Sequence, residues 1–184
     1  GASAMLPGLR DGIADGGFVV SIYSPSDLPR DSMLSEMALI GENSAVMAAA
    51  VAETVLLDCP DCLAEWKKNG IAYVAPYATM PYYLMCKGEL QSSADIRGKK
   101  VRAVGAWGKW INELGGVPVN LPSSEVYQAL ATGVIDGAVT DVAAAVSRKY
   151  YEVQDAFTVV PVLSAYLHGY LNPEFYDGLS DKSK

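Results

Sequence analysis

Three groups of side chains in this 184-residue chain have types and spacing suited to chemistry. The first lies in Lys99-Lys100-Val101-Arg102-Ala103-Val104, a β-like run followed by Gly105 and then by Trp107 and Trp110. A guanidinium presents a planar fork that meets a carboxylate through two parallel hydrogen bonds, which an ammonium cannot do. A charge in a strand ordinarily faces water. Arg102, however, sits near the carboxyl end of an expected parallel strand, where open α/β sheets hold their ligands. Trp107 and Trp110 share one helical face, and at that spacing a tryptophan pair forms core more often than binding wall. Trp107 is nearer the strand end and the helix start, where free backbone N–H groups also favour an anion. It is the expected pocket wall, and Trp110 the expected core residue.

The second group is Cys59-Pro60-Asp61-Cys62, with a separate Cys86. A C-x-x-C at a helix start fits a redox pair, because the helix N-terminus lowers a thiol pKa. Redox catalysis of the thioredoxin kind also needs a strand feeding the motif, whereas an alanine-rich helix leads into this one. A structural disulfide is the other reading, suited to an oxidising compartment. Zinc takes about four ligands, against three cysteines and a single histidine here, so no metal is expected.

The third group is aromatic. Tyr73, Tyr77, Tyr82 and Tyr83 cluster ahead of Arg102, and a tyrosine suits a half-wet cleft as well as a core edge. His168, in the apolar stretch LSAYLHGYL, would have to serve any Ser-His-Asp site, and no G-x-S-x-G elbow accompanies it. A lone strand histidine is more often structural. Neither G-x-G-x-x-G nor G-x-x-x-x-G-K-[ST] occurs, so nucleotide binding lacks its usual support and no cofactor is expected.

The elements that must position these residues alternate between the two kinds. Helical character at Gly8 to Ala14, stopped by Gly16-Gly17, precedes a strand over Phe18 to Ile22. Two apolar helical stretches lie between Asp31 and Leu57, and Asp58 is placed as the N-cap of a helix that ends at Asn69-Gly70. Strands are expected at Ile71 to Ala75, Pro81 to Cys86, Lys99 to Val104, Val117 to Asn120 and Ile135 to Thr140, with two more between Phe157 and Tyr170. Helices are expected over Gly105 to Gly115, from Ser123 with Val126, Leu130 and Val134 on one buried face, and over Asp141 to Lys149. This order predicts an α/β protein with largely parallel sheets.

Composition narrows the function further. The hydrophobic fraction of 51% supplies a packed core, and 14 basic against 21 acidic side chains give a net charge of −7. That balance disfavours nucleic acid and anionic membrane surfaces as partners. The longest apolar run, Val46 to Leu57, has 12 residues and contains Glu53, too short to cross a hydrocarbon core. It reads as a buried helix. The opening GASAMLPGLRDGIADGG lacks the basic region and apolar core of a signal peptide.

The run ADIRGKKVRAVGAWGKWINELGGVPVNLPSSEVYQALATGVIDGAV, followed by KYYEVQD, resembles the solute-binding proteins of tripartite ATP-independent periplasmic (TRAP) transporters of the DctP type. The likeness rests on the ordered set D-[LI]-[KR]-G-x-K-[VIL]-R, G-G, V-P, S-E-V-Y-x-A-L-x-x-G-x-[VI]-D-G and a later Y-E-V. It covers Ala94 to Asp155, and LRDGIADGGFV resembles an earlier helix–strand unit of the same family.

The resemblance implies a periplasmic-binding-protein-like fold of two α/β lobes with a ligand cleft between them, incomplete at both termini because family members are longer. Residues 1–98 would form mostly the first lobe with crossing strands, 99–165 mostly the second, and 166–184 a return toward the first. It implies a periplasmic receptor, not an enzyme, acting as a monomer without membrane insertion. The receptor would bind a small organic acid and deliver it to a membrane permease. Arg102 would be the carboxylate clamp. Family side chains after the I-D-G strand map to Thr140 and Asp141, where many relatives carry Q-E-N-P and this chain has Ala138-Val139-Thr140-Asp141. A second arginine found in some relatives is missing from Thr79-Met80-Pro81-Tyr82-Tyr83, which points to an aromatic pocket with one dominant charge contact. Trp107, Tyr82 and Tyr77 are its expected walls. The alternative from another class is a thiol–disulfide redox protein built on Cys59 and Cys62.

Overall fold

The computed structural model describes residues 2–37, 43–158 and 166–184. The chain forms two compact units, one of Gly1–Ala78 with Tyr166–Lys184 and one of Thr79–Ala165. The boundary expected after residue 98 therefore falls inside the second unit, whereas the return at residue 166 coincides with the start of the last strand.

The first unit holds helices α1 (Met5–Arg10), α2 (Pro29–Glu36), α3 (Ser44–Glu53), α4 (Pro60–Lys68) and, at the end of the chain, α8 (Pro173–Gly178). Its sheet has three strands, β1 (Gly16–Val19), β8 (Tyr166–Leu171) and β2 (Ala72–Ala78), with β8 central and antiparallel to both neighbours. Gly16 and Gly17 open β1 instead of stopping a helix, and the strand ends at Val19, giving way to a short 3₁₀ turn at Ser21–Tyr23. β2 runs on through Pro76 to Ala78, where a loop was expected.

Only part of the apolar run before the cysteines is buried. Val51 and Val55, one helical turn apart, face the core, while Val46, Leu56 and Leu57 are exposed. A π-helical segment, Thr54–Asp58, then leads into α4. Cys59, not Asp58, is the N-cap: its Sγ accepts from the Cys62 N–H at 3.2 Å. The two sulfurs are bonded to each other, and Cys62 lies in the core with Leu6, Leu9, Val55, Trp66 and Tyr170.

This core also buries ionisable groups. Asp31, fully buried on α2, has Oδ1 3.0 Å from His168 Nε2 on β8, and its Oδ2 accepts from the Tyr170 hydroxyl at 3.1 Å. Glu65 accepts from the N–H groups of Arg30 and Asp31 at 3.0 and 3.2 Å, two of the donors that the start of α2 leaves without intrahelical partners. Trp66 stacks on Tyr73 with ring centroids 4.7 Å apart. His168 is thus a packed core residue of this unit.

The second unit holds α5 (Ala106–Glu113), α6 (Val126–Ala131) and α7 (Val142–Ser147) around a five-stranded sheet. Its strands are β3 (Tyr82–Cys86), β4 (Lys100–Arg102), β5 (Val117–Val119), β6 (Gly137–Asp141) and β7 (Ala156–Phe157), in the order β5-β4-β6-β3-β7. β4 is parallel to β5 and β6, while β3 is antiparallel to β6 and β7. The sheets are therefore mixed and antiparallel, not largely parallel. Only β4-α5-β5 and β5-α6-β6 have the helical crossover that parallel neighbours require. The strands expected between Phe157 and Tyr170 fall partly on 159–165, outside the described residues.

α6 is shorter than expected. It begins at Val126 and ends at Ala131, so Val126 and Leu130 are buried but Val134, beyond the helix, is 54% exposed. Met85, Ala138, Ala145 and Tyr150 complete the core under it.

Candidate ligand site in the second unit

Register is what brings the candidate residues to one end of the second sheet. Asp136, in the I-D-G segment, grips β4 twice: its N–H donates to Lys100 O at 2.7 Å, and its Oδ2 accepts from the Lys100 N–H at 2.7 Å. Gly137 follows because β3 runs close alongside. A Cβ there would lie 2.5 Å from Met85 O and 2.6 Å from Cys86 Sγ. With these contacts in place, Val101 pairs with Gly137 and Arg102 with Ala138. Asp136 was not singled out from the sequence, although the I-D-G motif that contains it was.

The loops leaving β4 and β6 diverge, since β4 continues through α5 to β5 on one side and β6 through α7 toward β7 on the other. Such a divergence at strand carboxyl ends is where open sheets form a crevice. Arg102 closes β4 at this point. It is only 3% exposed, not a solvent-facing charge; its Nε donates to Leu121 O at 2.9 Å and its Nη1 to Val139 O at 3.2 Å. Two bonds to carbonyls on different segments fix the plane of the guanidinium.

Strand pairing separates the remaining candidates by face, because residues paired across neighbouring strands project to the same side. Arg102 pairs with Ala138, and Thr140, two residues on, pairs with Tyr83. Arg102, Thr140 and Tyr83 therefore share one face, the side on which Ala138 and Met85 pack under α6. Asp141 pairs with Tyr82 and projects to the other side. Tyr82 meets Trp107 there, with ring centroids 4.5 Å apart and planes tilted by 54°.

These placements redistribute the expected roles. Trp107 is 5% exposed and its ring packs on Tyr82, while Trp110, expected in the core, is only half-buried. Gly105 makes this turn possible by adopting φ +59°, which other residues rarely adopt, and places Trp107 in the first turn of α5. Asp141 is the N-cap of α7: its Oδ1 accepts from the Ala144 N–H at 2.8 Å. Tyr77 belongs to the first unit, where its half-exposed ring lies 5.0 Å from that of Phe18. From the sequence alone Tyr83 is one of a cluster of tyrosines. The two-residue alternation of Pro81 to Cys86 could have singled it out, had the pairing of that strand with Ile135 to Thr140 been known.

Cys86, at the end of β3, stands apart from this end of the sheet. Burial pushes the Cys86 thiol up to about 11, which keeps it protonated. Among the described residues no cluster of three or more His, Cys, Asp or Glu could hold a metal ion, and no helix is long and apolar enough to cross a membrane.

Comparison with known proteins points the same way. The C4-dicarboxylate-binding periplasmic protein DctP of Rhodobacter capsulatus is 43% identical over 75 residues, a match covering 38% of this chain and 21% of that protein. A marine metagenome TRAP solute-binding protein specific for aromatic acid ligands, solved with 3-hydroxybenzoate, superposes with a TM-score of 0.84 at 25% identity. That match covers 99% of this chain and 57% of the relative. A TRAP periplasmic solute-binding protein from Chromohalobacter salexigens, solved with d-glucuronate, gives 0.82 at 21% identity, over 98% of this chain and 60% of the other, and so speaks to the fold alone. The chain thus spans somewhat more than half the length of these solved relatives. With the family model for bacterial extracellular solute-binding protein, family 7 (DctP), matching residues 1–184, the chain belongs to the DctP-type TRAP solute-binding proteins.

Proposed function

We propose that this protein is an extracytoplasmic receptor that binds a small organic acid through Arg102 and delivers it to the membrane permease of a TRAP transporter. The observation that carries the reading is a buried guanidinium at the carboxyl end of a parallel strand, held in plane by Leu121 O and Val139 O. An arginine so oriented suits bidentate recognition of a carboxylate. The ligands of the two solved relatives, 3-hydroxybenzoate and d-glucuronate, both carry that group. Thr140, on the same face, stands beside the clamp as a hydroxyl where many relatives have an amide.

Energetics set the limit of what Arg102 does alone. A charge-assisted hydrogen bond contributes about 1.5–3 kcal/mol, and micromolar affinity requires about 8 kcal/mol. Apolar and aromatic contacts must supply the rest. Isothermal titration of the protein with a panel of mono- and dicarboxylates tests the reading. Arg102→Ala is expected to weaken every acid that binds by about a hundredfold, with circular dichroism unchanged. A folded Arg102→Ala protein that binds its acid as tightly as the parent would overturn the clamp.

The redox alternative has less support. A π-helical segment, not a strand, leads into the cysteines, which are joined as a disulfide with Cys62 buried in the core. Turnover in an insulin-reduction assay would restore it.

A further inference from the structure

We infer that Tyr83 is a specificity-determining residue and that the Arg102 site prefers a monocarboxylate bearing a flat ring to a dicarboxylate. This rests on the reading of Arg102 as a carboxylate clamp. Arg102, Thr140 and Tyr83 stand on adjacent strands in the order β4, β6, β3, all facing the same side. Two strand spacings and a two-residue offset put Arg102 and Tyr83 about 12 Å apart at their Cα atoms. An acid anchored on Arg102 and lying across Thr140 reaches Tyr83 with its far end. Tyr83 is also the half-buried member of the three, whereas Arg102 and Thr140 are 3% and 5% exposed, so it forms the rim.

The chemistry at the far end decides the class. A second carboxylate would meet a phenol ring and a hydroxyl there. The lysines flanking these strands, Lys100 and Lys87, lie at the opposite end of the sheet, at the start of β4 and just past the end of β3. Asp141, next to Thr140 and also buried, adds a negative charge that opposes a dianion. A flat ring, by contrast, packs on Tyr83 edge-to-face or offset.

Isothermal titration with benzoate and succinate, on the parent and on Tyr83→Ala, Tyr83→Phe, Tyr83→Arg and Arg102→Ala, tests this. The parent is expected to bind benzoate about tenfold more tightly than succinate, and Tyr83→Ala to lose about fivefold to tenfold for benzoate alone. Tyr83→Phe keeps the ring and should stay within about threefold of the parent, while Tyr83→Arg adds a cation and should reverse the preference. If Tyr83→Arg does not fold, the Ala and Phe variants carry the test. A parent that binds succinate as well as benzoate, or neither, overturns the inference, as does an unchanged ratio in folded Tyr83→Ala. If Arg102→Ala abolishes binding in that same experiment, the receptor reading stands without it. If Arg102→Ala leaves both acids bound as in the parent, the clamp reading on which the inference rests fails, whatever Tyr83→Ala does.

Discussion

The two units bury ionisable side chains in different ways. In the first, Asp31, Glu65, His168 and Tyr170 answer one another and the start of α2 from three elements, and the result is a core tied together by polar contacts. In the second, the buried Arg102 is steered by two backbone carbonyls at a strand end, where chain connections part. A buried charge by itself therefore does not mark a site. Its position at the strand ends is what makes Arg102 a candidate, and substitutions should separate the two kinds: stability for one, affinity for the other.

The sharpest break of that contrast is Asp31→Ala. It strands His168 and the Tyr170 hydroxyl, so unfolding free energy should fall by about 3–5 kcal/mol, measured by urea denaturation. Arg102→Leu should act mainly on binding, removing acid binding in titration while stability falls by about 1–3 kcal/mol, less than for Asp31→Ala, for the carbonyls left without a donor. Equal losses of stability in the two variants would erase the distinction.

Smaller effects sharpen it. Cys59→Ser with Cys62→Ser removes a short crosslink and should cost about 2 kcal/mol on the chain-entropy account, with acid affinity unaltered. Cys86, with its thiol pushed up to about 11, should resist iodoacetamide at neutral pH in the native protein and react fully after unfolding, as mass spectrometry would report.

The smallest effect concerns Asp95. Backbone N–H groups of Ser92 and then Gln91 hold its exposed carboxyl below the usual carboxylate range. A depressed folded value means a stabilising contribution that is present above the unfolded value and lost as pH falls through the folded one. The melting temperature of Asp95→Ala should thus trail the parent at neutral pH and converge with it in acid.

Element types were readable because helices and strands differ in apolar period, and the strands expected at Lys99 to Val104, Val117 to Asn120 and Ile135 to Thr140 overlap Lys100–Arg102, Val117–Val119 and Gly137–Asp141 in the structure. Handedness of pairing was not readable. Nothing local in YYLMC says that β3 lies antiparallel to β6, yet that pairing puts Tyr83 beside Thr140 and Tyr82 beside Asp141. For the same reason the sequence cannot say that Trp107, close to Arg102 along the chain, lies with Tyr82 on the other face of the sheet. Asp31 and His168 are far apart in sequence, and only the antiparallel sheet of the first unit and α2 bring them to 3.0 Å. Arg102 is the candidate on which strand position and family likeness converge.

The double grip of Asp136 on Lys100 has a consequence for how the proposed site could diversify. Slipping β6 against β4 by one residue would turn Thr140 away from Arg102 and break both 2.7 Å bonds. With that alignment locked at the far end of the strands, side chains at 83 and 140 can be exchanged as interchangeable tips on a fixed frame. On the proposed reading, new ligand preferences would then require no rebuilding of the sheet that carries Arg102.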